Sequence, residues 1–369
     1  MIIVFHPNGG ENMKKVLKIV LIVLLALVAA FGGLLGWLTA TEFSPESVEP
    51  AAQISSNSTS PLQPGATLDV LSWNIGYAGL GKGSDFFMDG GKNARSADND
   101  TVNRYLDGIN TTIRSQNYDL VLLQEVDTDS TRTYGIDETA ALAQGNSFHA
   151  LNYSCPYVPN PNTLLINAIG KVNSGLFTIA NAAVEKAERI SLPCPFSWPL
   201  RIANLKRCLL VSYLPIEGSD KQLVLVNLHL EAYDDGEGKI AQTKQLREFI
   251  QSEYEKGNYV IAGGDFNQVF PGSLEVYPNA HPELWEPGVL DESLLPEGEG
   301  WQFAYSLDAP TCRLLNQPYD PSDIANTQYY VIDGFILSPN VELNLVENLG
   351  AEDFANSDHN PVHLNVTLK

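Results

Sequence analysis

The run Tyr259-Val260-Ile261-Ala262-Gly263-Gly264-Asp265-Phe266-Asn267 decides how the chain is read. Its apolar first half has the composition of a buried β-strand, and the two glycines read as its stop. Asp265 and Asn267, two residues apart on an emerging extended chain, project to the same side. A carboxylate beside an amide can take a proton from water and hold the oxygen under attack. Gly, Asp and Asn also make ordinary polar turns. The weight therefore falls on whether other strand ends carry matching groups.

Working outward, they do. Asp69-Val70-Leu71-Ser72-Trp73-Asn74 is a short strand ending on an amide, followed by a glycine-rich loop from Gly79 to Gly91. A helical pattern over about residues 101–116 precedes Asp119-Leu120-Val121-Leu122-Leu123-Gln124-Glu125, an apolar strand that ends on a carboxylate. Continuous apolar strands alternating with helices argue for a buried sheet covered by helices. Further strands are expected at 173–179, 206–213 and 223–230, the last with His229 near its end, and a helix at 239–255. Tyr329 to Leu337 is apolar with Asp333 inside it, and Ser357-Asp358-His359-Asn360-Pro361 precedes a final alternating strand. Each group taken singly has a plain alternative: a satisfied core histidine, a turn aspartate, loop polarity before a proline. Buried ionisable groups are costly unless paired or metal-bound, so six such positions together weigh more than any one.

Asn74, Leu-Gln-Glu ending at Glu125, His229, Gly-Asp-Phe-Asn at 264–267, Ile332-Asp333 and Ser-Asp-His at 357–359 resemble, in order and spacing, the motif set of the endonuclease/exonuclease/phosphatase superfamily. That superfamily includes deoxyribonucleases and sphingomyelinases. The resemblance covers about residues 67–369. It implies a four-layer α/β sandwich, two packed mixed sheets flanked by helices, with the site where strand ends of both sheets converge. It further implies Mg2+, or Mn2+, held mainly by Glu125 with Asn74 and Asp358 close by, directly or through water. Asp265 would deprotonate the attacking water and Asn267 hold a phosphate oxygen. His229 and His359 would donate to the phosphoryl group, and Asp333 would fix the tautomer of one histidine. The tyrosine or glutamate that nucleases of the family use in a mid-domain strand has no clear counterpart; Tyr153, Tyr213 and Asn173 are the candidates.

Residues 19–40 form an unbroken uncharged, mostly apolar run, long enough at about 20 residues per span to cross a bilayer. Lys14, Lys15 and Lys18 precede it and Glu42 and Glu46 follow, which keeps residues 1–18 cytoplasmic and places the rest outside a single-pass cell-membrane anchor. A cleaved signal peptide is the rival, with Thr39-Ala40-Thr41 a weak cleavage site. Residues 41–66, rich in Ser, Pro, Glu, Asn and Gln, read as a flexible linker to one large domain at 67–369.

The formal charge of −22 counts against a long nucleic-acid substrate, which normally meets a basic footprint. Lys82, Lys92, Arg95 and Arg132 could contact a phosphate, though solvated loop charge is the plainer reading. Phe86, Phe87, Phe196, Trp198 and Trp285 could dip into lipid or stack on bases, or simply pack loops. The even count of cysteines, Cys155, Cys194, Cys208 and Cys312, allows one or two disulfides outside the cell, with Cys208 read as a buried free thiol. The reading reached is a membrane-anchored, extracytoplasmic metal-dependent phosphoester hydrolase. Its partners are a phosphoester (a small molecule, a phospholipid headgroup or nucleic acid) and the bilayer, and the chain is expected as a monomer. An extracellular endo- or exonuclease and a non-catalytic binding module of the same fold are the alternatives. Neither Gly-x-Ser-x-Gly nor His-Glu-x-x-His occurs.

Overall fold

Strand Tyr259–Asp265 lies inside a seven-stranded sheet. It does not stop at the glycines; it runs through Gly263 and Gly264 and ends on Asp265. The reason is room. A Cβ on Gly263 would lie 2.2 Å from the Phe335 ring, and one on Gly264, where φ is +147°, would lie 2.0 Å from the Leu228 carbonyl oxygen. The glycines let two neighbouring strands close on this one.

The computed structural model describes residues 9–96, 98–160, 167–234, 236–323 and 326–369. The chain divides into two units, Met1–Glu42 and Phe43–Lys369. In the first, a helix spans Gly9–Ala40, and its stretch Met13–Ala40 is long and apolar enough to cross a membrane. In the second, two seven-stranded mixed sheets pack face to face. One has the order Val48–Pro50, Lys186–Ser191, Cys208–Pro215, Gln222–His229, Tyr259–Asp265, Asp333–Leu337, Gln302–Ala304. The other has the order Val341–Asn348, Val362–Leu368, Thr67–Asn74, Leu120–Asp127, Gly170–Ala180, Asn146–Val158, Ala52–Ser55.

Side-chain alternation builds the layers. Leu223, Leu225 and Ile261 meet Val70, Leu120, Leu122 and Leu364 in the core between the sheets. Their neighbours Val224, Val226 and Leu228 turn outward and pack with Leu246 and Ile250 of helix Glu237–Glu255. On the other side Leu71, Trp73, Val121 and Leu123 pack with Val102, Leu106 and Ile109 of helix Asn99–Ser115. That helix starts where the Asp98 carboxylate accepts the Thr101 N–H at 2.7 Å. The result is a four-layer α/β sandwich.

Near the site the inter-sheet core turns polar. Asn227 Nδ2 donates to the carbonyls of Leu123 (3.0 Å) and Phe177 (3.1 Å), and its Oδ1 accepts from Gln124 Nε2 at 2.8 Å. The residue ties one sheet to two strands of the other. Asn227→Ala leaves the Gln124 amide and two carbonyls short of a partner in a fully buried core and should cost about 2–4 kcal/mol. Urea unfolding at neutral pH would measure it, and a loss below about 1 kcal/mol would refute the tie.

Residues 43–66 depart from the expected linker. Val48–Pro50 pairs with Lys186–Ser191 on the edge of one sheet, Ala52–Ser55 pairs with Asn146–Val158 on the edge of the other, and Leu62 is buried in the core. All four cysteines are free thiols, with Cys155, Cys208 and Cys312 buried.

Candidate active site

Register alone brings three of the expected residues together. Asp265 pairs with His229 on the parallel neighbour and with Asp333 on the antiparallel one, so the three side chains form a row across adjacent strands. They share the parity of Asn227, Ile261 and Phe335 and so face the opposing sheet. From that sheet Asn74 reaches across: its Nδ2 donates to Asp265 Oδ2 at 3.0 Å and to Glu125 Oε1 at 3.1 Å.

Glu125 arrives there by a departure from regular structure. With the parity of Leu123 it would face the helix. Instead its backbone is left-handed (φ +55°), and the pairing with Gly170–Ala180 shifts register between Leu123 and Val126. A bulge of this kind re-aims a side chain, and here it turns the carboxylate toward Asn74.

His359 and Asp358 come from the loop before the last strand, which is held on several sides. Ser357 Oγ donates to the Asn74 carbonyl at 2.8 Å, Trp73 Nε1 to the His359 carbonyl at 2.8 Å, and Arg313 N–H to the Asp358 carbonyl at 3.0 Å. His359 Nδ1 lies 2.8 Å from Asp333 Oδ2, while its Nε2 is 3.9 Å from Asp265 Oδ2. On the other flank His229 Nε2 is 3.5 Å from the same Asp265 oxygen. One carboxylate thus sits between two imidazoles.

The electrostatics separate the two imidazoles. Burial disfavours a charge on His359, but the Asp333 carboxylate, with Cys312 beside it, outweighs this and holds its pKa well above the usual histidine value. His229 goes the other way, pushed well down by burial and by Arg207 and His359 nearby. Burial, then the charge of Asp333, raises Asp265 to about 7. Asp358 rises to about 6, chiefly through burial, with Glu125 adding to it and His359 opposing.

Glu125, His229, Asp265, Asn267, Asp358 and His359 line one cavity of about 220 Å³. Asp265 and His359, with Asp333 behind His359, offer ligand atoms all within 4.8 Å of one another, a grouping able to hold an ion. Glu125 and Asp358 line the same cavity, and the charge of Glu125 acts on Asp358. Asn74 turns donors toward the carboxylates, and its Oδ1 accepts from Gly76 N–H at 3.0 Å, so in this geometry it orients Glu125. Asn267 N–H donates to Asp265 Oδ1 at 2.8 Å and its Nδ2 to the Leu230 carbonyl at 2.9 Å, so it also steadies the carboxylate.

Of the substrate-contact candidates, Arg132, Phe86, Tyr153 and Trp285 line the cavity; Lys82, Lys92, Arg95, Phe87, Phe196, Trp198, Tyr213 and Asn173 do not. Lys82 pairs with Asp353 at 3.2 Å instead. Sequence reasoning missed Asp89, Arg207, Arg313 and Tyr77. Asp89 follows two phenylalanines and a methionine in the glycine-rich loop, and burial with the nearby Asp358 raises it to about 7. Arg207 lies near the start of the expected strand 206–213, ahead of its apolar run, and is buried against Glu231 at 3.3 Å.

No protein-family model matches the sequence, and no curated protein matches it. Solved structures do. An endonuclease/exonuclease/phosphatase protein from Beutenbergia cavernae superposes with a TM-score of 0.52 at 16% identity, over 82% of this chain and 72% of that one. A protein of the same family from Bacteroides thetaiotaomicron (TM-score 0.49, 14% identity, 83% of this chain and 99% of that one) also matches. So does the human Nocturnin catalytic domain with bound sulfate (TM-score 0.49, 17% identity, 84% and 96%). At such identities the likeness is one of fold.

Proposed function

We propose that this chain, which has the endonuclease/exonuclease/phosphatase superfamily fold, is a divalent-metal-dependent phosphoester hydrolase acting on small phosphodiesters. The observation that carries the reading is the Asp265 carboxylate, set between two imidazoles of opposite protonation preference and facing a set of acidic oxygen donors.

The residues fit a cation. Asp358 is raised partly by Glu125, and Asp89 by both, so three carboxylates repel one another at the cavity wall. Hard oxygen donors with excess negative charge suit Mg2+ or Mn2+. Glu125 and Asp358 would hold it, with Asn74 orienting Glu125. The Asp265, Asp333 and His359 grouping suits proton handling better, because His359 Nδ1 is already bonded to Asp333 and its protonated form repels a cation. A bound divalent ion would polarise a phosphoryl oxygen and offset charge on the leaving oxygen.

The chain's own groups do the rest. Asp265, held by Asn74 and by the Asn267 backbone, takes the proton of the attacking water. His359, kept protonated by Asp333, donates to a phosphoryl oxygen from Nε2. His229, neutral, lines the cavity with its Nε2 3.5 Å from Asp265 and would donate to the substrate from there.

Charge selects the substrate class. Each arginine lining the cavity is engaged: Arg132 by Asp127 at 2.9 and 2.8 Å, Arg207 by Glu231, and Arg313 by the carbonyls of Leu80, Gly81, Ser84, Leu314 and Gln317. Among the described residues no lysine lines it. A polynucleotide needs cations along its backbone, whereas one phosphodiester is served by a metal and two histidines. The helix at 19–40 would anchor the enzyme in the cell membrane, with residues 1–18 cytoplasmic and the catalytic domain outside.

The test uses the full chain in detergent with bis-p-nitrophenyl phosphate, phosphatidylcholine or sphingomyelin vesicles, and plasmid DNA, each with Mg2+ and with chelator. Turnover of the small diester that chelator abolishes, and a Glu125→Gln variant needing more Mg2+ for half-maximal rate, are expected. DNA cleaved in preference to the diester would make the protein a nuclease. No turnover and no metal binding would leave a binding module.

A further inference from the structure

The turn after Asn74 is left-handed at three consecutive residues, Gly76, Tyr77 and Ala78, with φ of +50°, +42° and +45°. Two of these are not glycine, and each pays a steric cost that the surrounding structure must impose. The turn fixes the side chain of Tyr77. Its ring edge lies against Gly79, where an added Cβ would come within 2.7 Å of Cδ2 and Cε2. The guanidinium of Arg132 sits 3.5 Å from the ring centroid and is itself locked by its two bonds to Asp127. The residue is 2% exposed, yet its hydroxyl has no hydrogen-bond partner. Tyr77 lines the cavity together with Glu125, Asp358 and His359.

A buried phenol normally finds a partner. We propose that the Tyr77 hydroxyl is a substrate contact, donating to a non-bridging oxygen of the phosphoryl group under attack; the inference rests on the hydrolase reading above. Burial, with Glu125 and Asp358 nearby, holds the phenol well above its ordinary pKa, so it keeps its proton across the neutral range. Arg132 over the ring favours negative charge there and so strengthens the hydroxyl as a donor. As charge grows on the phosphoryl oxygens, a donor already fixed in place costs no reorganisation. The orphaned hydroxyl, the strained turn and the locked arginine are then parts of one device.

Tyr77→Phe removes the hydroxyl and keeps the ring under Arg132. The full chain and this variant would be compared in detergent with Mg2+ for kcat and KM on bis-p-nitrophenyl phosphate, for binding of inorganic phosphate by calorimetry, and for thermal midpoint. The expected result is a fall in kcat/KM of about 10- to 100-fold, carried mainly by kcat, with weaker phosphate binding and an unchanged or higher midpoint. A structural hydroxyl would instead lower the midpoint and spare phosphate binding. Unchanged rates in an active background, or a loss matched by a lower midpoint, overturn the inference alone. An unsubstituted chain with no metal-dependent turnover overturns it together with the hydrolase reading.

Discussion

Asp265→Asn is expected to lower kcat on the small diester by about 10²–10⁴, the range for loss of a general base, while the folded protein becomes more stable above neutral pH. The first half follows from geometry. Asp265 is the carboxylate placed between His229 and His359 and steadied by Asn74 and Asn267. The second half follows from its titration. Burial and Asp333 raise the folded-state pKa to about 7 from 3.8. The folded protein therefore holds this proton over an interval in which the unfolded chain has released it, and stability falls as pH rises through that interval. An amide carries no such cost. In chelator, the variant should gain on the parent between about pH 4 and pH 8, and the two should converge below about pH 4. Urea midpoints across that range, set beside kcat, give the check. A variant that is both inactive and less stable at pH 8 would mean that Asp265 holds the site together and does no proton transfer.

Gly264→Ala should be the most damaging single methyl group in the domain. The added carbon would sit 2.0 Å from the Leu228 carbonyl oxygen and 2.9 Å from its carbonyl carbon. Both are main-chain atoms of the strand carrying His229, so no rotamer relieves the contact. The strands must separate, and a cost above about 4 kcal/mol is expected, with loss of soluble protein as the first sign. Gly218→Ala is the control. It shares a positive φ (+70°), but nothing lies within 4 Å of its Cβ, so only the backbone cost of about 1 kcal/mol remains. Thermal midpoints of the two variants separate crowding from backbone conformation; similar losses would show that crowding at Gly264 is not what matters.

The two variants also mark what the sequence could show. His229, Asp265, Asp333 and Asn74 were legible because each ends or interrupts an apolar strand, and period-two parity then decides which way a side chain points. Asp358 and His359 were legible by motif alone. Glu125 was named from the motif, but strict alternation would have turned it toward the helix. Its place depends on a bulge whose signature is a φ of +55°, which Leu-Gln-Glu does not announce. Tyr77, just ahead of the glycine-rich loop, and Asp89, inside it, were passed over because such a segment reads as slack chain. The one available signal was the Gly76–Gly79 bracket around a tyrosine. Arg132 was read as solvated charge because its partner, Asp127, lies across a loop whose path composition does not fix. The stretch 43–66 misled for a related reason: edge strands bury little, so Val48-Glu49-Pro50 and Ala52-Gln53-Ile54-Ser55 carry the composition of a linker.

Those two short strands have a consequence for how copies of the protein treat one another. An uncovered sheet margin presents a row of unsatisfied amides and carbonyls that any passing extended chain can zip onto. Val48–Pro50 closes one margin of the first sheet and Ala52–Ser55 one margin of the second, consecutively and within the same stretch of chain. A domain trimmed to begin at Thr67 would keep every residue of the site and yet expose two adhesive margins. The peptide leading into the domain thereby serves as its guard against aggregation.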